Sequence, residues 1–288
     1  MATATKNSGN SGLYLRRRLS NSIFIVLAVS AAIFGLLFLA LILETLLVNG
    51  ISALGPHLFT ESQPPPGEEG GLANAIVGSV IMGTGAVLIG TPIGILAGTY
   101  LAEYARYGRF SFVVRFVNDI LLSAPSIVLG LFIYEVAVRP MGHFSGFAGM
   151  LALAVIVIPV VVRTTENMLL LVPNGLREAA SALGAPQNFV IKQVTWKAAQ
   201  AGMITGVLLA FSRISGETAP LLFTALGNTG LTTDITGPMS SLPQVIFQFA
   251  LSPYEDWHDL AWAGALLVTG TVLTLSIIAR LLEKKQRN

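Results

Sequence analysis

Six stretches of the chain stay apolar for long enough to cross a bilayer, with polar clusters between them. They run from about Ile23 to Val48, Ala75 to Tyr100, Phe112 to Val138, Gly146 to Leu171, Gly202 to Leu222 and Leu260 to Leu282. Each is near or above the roughly 20 residues that a helix needs to span the hydrocarbon core. A backbone in hydrocarbon must satisfy its hydrogen bonds within its own segment, so each run predicts a helix. The first run follows Arg16, Arg17 and Arg18, as a signal-peptide core would. It is longer than the roughly 7–15 residues of such a core, so it reads as a retained anchor. The segment Thr60 to Gly71, with Pro64-Pro65-Pro66-Gly67 and its glutamates, reads as an exposed connection. No self-similarity at a period of about 20–50 residues is present, which argues against a solenoid.

Composition agrees with the pattern. Hydrophobic residues make up 53% of the 288 positions, charged residues only 11%, and mean hydropathy is +0.71. A soluble domain carries about 25% charged residues, so lipid is the natural solvent for this surface. Net charge is +2 and the basic residues form no long patch, which excludes nucleic acid as an expected partner. The chain has no cysteine, hence no disulfide or thiol chemistry. His57, His143 and His258 are scattered through connections, so no metal site is expected.

The lysines and arginines set an orientation. With the N-terminus inside, Lys6, Arg16, Arg17 and Arg18 are cytoplasmic, Arg106, Arg109 and Arg115 lie in or beside the first inner loop, and Arg163, Arg177, Lys192 and Lys197 in the second. Arg280, Lys284, Lys285 and Arg287 end the chain inside, so 15 of 17 basic residues share one side. Arg139 is outside, with Glu61, Glu68, Glu69, Asp234, Glu255, Asp256 and Asp259, and Arg213 lies within the fifth run. The expected layout is a cytoplasmic segment over 1–21, a transmembrane domain over 22–283 with an inner loop at 173–198, and a cytoplasmic tail over 284–288.

Small residues recur at a spacing of four. Gly90, Gly94 and Gly98 do so beside Pro92, and Gly202 and Gly206 in the fifth run. Such faces let helices approach closely in lipid, either within this chain or across a subunit seam. Asp119, near the inner end of the third run and followed by Pro125, suits a pathway or a hydrated capping role. Glu135 and Arg139 form an exposed four-residue pair at that run's outer end, and Glu44 lies within reach of the headgroups. No serine–histidine or carboxylate–metal constellation lies in the spans, and the dipeptide Gly-Lys of a phosphate-cradling loop is absent. If the chain works with ATP, another polypeptide must bind it.

The inner loop is itself helical in pattern. Asn174 is placed to cap a helix running to Leu183, Gly184 suits a left-handed stop, and Pro186 suits the start of a second helix towards Trp196. Within it, Glu178-Ala179-Ala180-Ser181-Ala182-Leu183-Gly184 resembles the E-A-A-x-x-x-G signature of ABC importer permeases. That resemblance implies that Glu178, Ala179, Ala180, Leu183 and Gly184 form a coupling helix seated in a groove of a cytoplasmic ATPase. The generic family pattern ends in I-x-L-P, whereas Val194-Thr195-Trp196-Lys197 stands in that register here, with lysine as in the phosphate branch.

Arg213 and Glu217 stand four apart in an apolar run, with Ser212, Ser215, Gly216, Thr218 and Pro220 around them. On one helix that spacing puts them on one face, where they can pair. An unpaired arginine at the bilayer centre costs about 2.5–3.5 kcal/mol on insertion scales, so it must face a partner or water. Two uses follow: Arg213 meets an anionic substrate while Glu217 balances or gates its charge, or the two form a structural pair. A proton relay through Glu217 is a third option.

The run Arg213-Ile214-Ser215-Gly216-Glu217-Thr218-Ala219-Pro220-Leu221-Leu222-Phe223-Thr224-Ala225 is similar to the PstA-type phosphate permease branch. Ser252-Pro253-Tyr254-Glu255-Asp256-Trp257 and Leu260-Ala261-Trp262-Ala263 are similar to it as well. The resemblance covers most residues after about Gly71. It implies an all-α, MetI-like type I ABC permease fold in a bacterial inner membrane, working with a PstC-type sister permease, a PstB-type ATPase dimer and a PstS-type phosphate-binding protein. ATP and Mg would sit on the ATPase, with no cofactor in this chain. Related permeases for molybdate or sulfate and, more distantly, a secondary transporter are the rival readings.

Overall fold

The computed structural model describes residues 11–106 and 108–287, and side chains for 12–106 and 108–281. Lys6, the first ten residues of the expected N-terminal segment, and Asn288 lie outside the described residues, as do the side chains of Lys284, Lys285 and Arg287. Helices and turns build the structure, with no strand among the described residues. The chain divides into two units, 1–49 and 50–288.

The first unit is, in its described part, one helix. It belongs to α1, Ser11–Ser52, whose 42 residues measure about 63 Å at 1.5 Å per residue, twice the hydrocarbon core. The helix therefore takes in much of the segment expected to stand apart as 1–21.

In the second unit the main helices are α2 (Ala73–Thr99), α3 (Arg109–Ser123), α4 (Ser126–Ile133), α5 (Gly146–Leu171), α6 (Asn174–Ala182), α7 (Trp196–Ile214), α8 (Ala219–Leu222), α9 (Leu242–Ala250) and α10 (Glu255–Arg287). One wide π turn extends α2 through Tyr100–Tyr104, and another, Val190–Thr195, leads into α7. Helix α5 is the hub. Two thirds of its most apolar window is buried (67%), against 28% for α2 and 17% for α10. Its Leu153, Ile156, Val157 and Val161 form a core with Met82 and Ala86 of α2, Leu129 of α4, Ala210 and Ile214 of α7, and Leu221 of α8.

Glycine explains why α2 and α7 can lie so near α5. A Cβ on Gly90, Gly94 or Gly98 would stand 2.9, 2.6 or 2.7 Å from Val157, Val161 or Thr165. A Cβ on Gly206 would meet Thr164 at 2.5 Å, and one on Gly202 would run into Met168. Both glycine series thus face α5 within this chain. The register carries more information than the spacing. Positions 90, 94 and 98 meet 157, 161 and 165 in ascending order, so α2 and α5 are parallel; 202 and 206 meet 168 and 164, so α7 is antiparallel to α5.

That parallel pairing decides the crossing number. Among the described residues, five helices are by themselves long and apolar enough to span a membrane. The third apolar run is not one helix but two, Arg109–Ser123 and Ser126–Met141, bent by 107°. Ala124 and Pro125 cause the break, because the proline ring disfavours helical backbone at the residue before it. Since α2 ends on the opposite side from where α5 begins, residues 105–145 must cross the bilayer, and the bent pair counts as a sixth, broken span.

Three other expectations change. The fifth helix does not reach Leu222: it stops at Ile214, and Ser215–Thr218 form a non-helical step before α8. The sixth helix starts earlier, at Glu255, and runs through the expected tail to Arg287. Asn174 is not the cap of α6 but its first residue, with Pro173 at the cap position.

A leucine at Gly94 must force α2 from α5, and overpacking of this kind costs about 1–3 kcal/mol. Gly94→Leu is expected to lower the thermal midpoint of the purified protein, whereas Gly270→Leu on α10, where nothing lies within 4 Å, leaves it unchanged. A single cysteine at His143 and one at Arg106, both exposed, are expected to react with an impermeant thiol reagent from opposite sides of the membrane. Labelling from the same side would make the bent pair re-entrant.

Candidate functional site

Two places gather the chemistry: the depth at which the helices break, and the loop helix α6. Pro159 is the fourteenth residue of the 26-residue α5, so it marks mid-depth. At that level lie Pro92 of α2, two residues from each of Gly90 and Gly94, which face Val157 and Val161. The step after Ile214 and the Ala124–Pro125 break meet there too, around a cavity of about 90 Å³ lined by Leu121, Leu122, Ala124, Ser126, Leu129, Ile156, Pro159, Arg213 and Glu217. Gly130 packs against Pro220 across the two breaks. Asn118 donates to the Pro159 carbonyl at 3.3 Å, tying α3 to the middle of α5.

Arg213 and Glu217 share this cavity without forming an ion pair, one of the uses open to them from the sequence. Among the described residues the ion pairs are Arg115–Glu166, Glu135–Arg139, Asp119–Arg163 and Glu103–Arg177. The physical reason is the step: Gly216 and Pro220 end the helix between the two charges, so a four-residue spacing no longer means one turn. Arg213, on the last turn of α7, is exposed, and Glu217 is half-buried. Glu217 also borders a larger, apolar cavity of about 190 Å³ with Met82, Phe211, Leu242 and Leu267, which offers an anion few donors.

Asp119 and Arg163 stand 3.9 Å apart, with side chains 56% and 47% exposed. Arg163 is not in a loop: it lies on α5, eight residues before its end. Charges left uncovered at the depth of a span must face water or another protein, because lipid would impose the cost noted above. Asp119, Arg163, Arg213 and Glu217 therefore mark the α3–α5–α7 face of this chain as one that lipid does not cover.

The helix α6 projects from the end of the bundle at which α5 finishes. None of its residues is buried, and Leu183 just beyond it is 89% exposed. Its stop is a Schellman motif: Ala185 N–H donates to the Ala180 carbonyl at 3.3 Å, Gly184 N–H to Ser181 at 3.0 Å, and Gly184 has φ +83°. Glu178, Ala179, Ala180, Leu183 and Gly184 thus lie on or just beyond a well-formed helix with an exposed apolar tip, the kind of surface that a protein partner covers.

Sequence reasoning counted Arg177 and Arg115 only as inner positive charges. The structure places each on a buried or partly buried glutamate. Arg177 forks onto Glu103 at 2.7 and 3.1 Å and donates to the carbonyls of Leu169 and Val172 at 2.7 and 2.6 Å. Arg115 donates to Glu166 at 2.7 Å and to the Leu101 carbonyl at 3.2 Å. The available signal was Glu166, a carboxylate inside an apolar run, which requires a cation within reach.

The family described as "Binding-protein-dependent transport system inner membrane component" matches residues 90–288. The chain is 60% identical over 265 residues to the "Phosphate transport system permease protein PstA" of Pasteurella multocida, covering 92% of this chain and 95% of that one. It is 57% identical to the Haemophilus influenzae protein of the same name, covering 96% and 98%, and 37% identical to "PstA 2" of Mycobacterium bovis, covering 83% and 80%. Among solved structures it resembles a chain of the inward-facing MetNI methionine ABC transporter, with a TM-score of 0.57 at 20% identity over 73% of this chain and 95% of that one. An amino acid ABC transporter crystallised with histidines gives 0.55 at 18% identity, covering 73% and 92%. These two establish the fold, as the sequence led us to expect, and the relatives establish the branch: the chain belongs to the binding-protein-dependent transport system inner membrane component family, within its PstA group.

Proposed function

We propose that this chain is the membrane-spanning permease of an ATP-driven importer of inorganic phosphate, lining the path together with a sister permease. The observation that carries the reading is Arg213, exposed on a lipid-avoiding face beside the mid-depth cavity. A guanidinium presents a planar fork of donors to the oxygens of an oxyanion, which gives it the right shape as well as charge. The names of the relatives supply phosphate as the anion. Glu217, half-buried at the same cavity, disfavours an anion that lingers and so sets the exit.

In this reading the chain does no chemistry and holds no cofactor; a separate ATPase binds ATP and Mg and drives the cycle. Its closure displaces α6, which shifts α5 and α7 through the two short connections and alternates access to the Arg213 cavity. Both termini lie in the cytoplasm, as the distribution of lysine and arginine supports, in a bacterial inner membrane. The outer end then carries a cleft with Glu61, Glu68, Glu69, Asp256 and Asp259. In the connection before α9, Thr236 donates its hydroxyl and its amide to Asp234, holding that carboxyl below its usual range. Such a surface repels free phosphate, which suits delivery by a binding protein rather than capture from solution.

A charge-assisted hydrogen bond is worth about 1.5–3 kcal/mol, so Arg213→Gln is expected to cut phosphate uptake by at least about tenfold while the complex still assembles. Unchanged uptake removes Arg213 from the path. A cysteine at Ala179 is expected to cross-link to the ATPase in a working importer. Absence of that adduct would remove α6 as the coupling element.

A further inference from the structure

We propose that the Arg177–Glu103 pair is the link that carries displacement of α6 into α2, making both residues positioning residues for coupled transport. The inference rests on the reading of the chain as a permease driven by a separate ATPase.

Because α6 buries no residue of its own, its packing is confined mainly to the Val190–Thr195 turn. Its covalent joints are the short turns at Val172–Pro173 and at Leu183–Pro186, the latter with glycine in left-handed conformation. Those joints alone reach α5 and, through the Val190–Thr195 turn, α7; neither reaches α2. Arg177 supplies the missing connection. Its Nε and Nη2 donate to the two oxygens of Glu103, on the last turn of the α2 extension, and its Nη1 and Nη2 also donate to the carbonyls of Val172 and Leu169. Those carbonyls lie at the end of α5 and its cap, where the helical ladder runs out of donors; that of Leu169 accepts in addition from the Val172 N–H.

One side chain therefore joins three helix ends. Glu103 is 7% exposed and Arg177 18%, so water competes weakly for either. Beyond Glu103 the parallel helices α2 and α5 leave no slack, since glycines at 90, 94 and 98 hold them in backbone contact. Arg115 extends the same body to α3 through Glu166 and the Leu101 carbonyl. A push on α6 then moves the adjoining halves of α2, α3 and α5 together, below the depth at which the helices break. Without the fork, α6 swings on its two turns and the push is absorbed. Lysine cannot replace it, because a single ammonium lacks the bidentate geometry.

The test uses the complete importer, with its ATPase, sister permease and binding protein, in liposomes, and reads phosphate moved per ATP hydrolysed. Glu103→Gln, which leaves the surface of α6 untouched, is expected to lower that ratio at least fivefold while the cross-link from position 179 to the ATPase forms as before. Arg177→Gln combined with Glu103→Gln is expected to be no worse than the worse single variant, as for two halves of one link. Should Glu103→Gln not assemble, Arg177→Lys is read in the same way. A ratio equal to wild type in the assembled variant, or losses that multiply in the double variant, would overturn the proposal. Failure of the underlying reading has a different signature: the wild-type importer itself then moves no phosphate, or moves it without ATP.

Discussion

The structure depends on one contact: two parallel helices, α2 and α5, brought so close that positions 90, 94 and 98 of α2 have no room for a Cβ. Lipid gives apolar side chains little reason to associate, so helices in a membrane hold together by close packing and by polar contacts. Gly90, Gly94 and Gly98 supply the first along the length of α5. Parallel neighbours in turn oblige the intervening chain to recross the bilayer. It does so through a broken helix, and the break at Ala124–Pro125 creates the room in which Arg213 and Glu217 are tolerated. A packing rule at one interface thus leads to a polar site at another.

The ends of the bundle divide the remaining work. Where α5 finishes, Arg177 and Arg115 pair with Glu103 and Glu166; the spare donors of Arg177 go to the carbonyls of Leu169 and Val172, and that of Arg115 to the Leu101 carbonyl of the α2 extension. At mid-depth the helices break at Ala124–Pro125 and at the Ser215–Thr218 step, and Pro92 and Pro159 each remove a backbone donor from α2 and α5. Ion pairs stiffen one level and prolines soften the next. That gradient is what a chain needs if a force applied at α6 is to be felt at Arg213, whose level at Pro159 is about 18 Å from the end of α5 at 1.5 Å per residue.

The legible parts of the sequence were those set by local physics. Six apolar runs, the glycine spacing of four, and the glycine stop at Gly184 all follow from what a single helix in lipid can satisfy. A pair between Arg213 and Glu217, one of the uses open to them, requires an unbroken helix; Gly216 and Pro220 are visible in the sequence, but their effect on geometry depends on α4 packing against α8 through Gly130 and Pro220. The bend of 107° was hidden for the same reason, since Pro125 announces a break and not an angle. Arg177 and Glu103 lie 74 residues apart, so nothing local joins them. Their contact exists only once α2 and α5 are parallel.

The central claim is that the step after Ile214 faces an aqueous path for phosphate. Gly216 is exposed, and nothing lies within 4 Å of a Cβ added to it, so a cysteine there leaves the packing intact. In the assembled importer, otherwise free of cysteine, the account predicts that an anionic, membrane-impermeant thiol reagent modifies Gly216→Cys and that saturating phosphate with loaded binding protein changes the rate. Modification by lipid-soluble reagents alone, indifferent to phosphate, would contradict it.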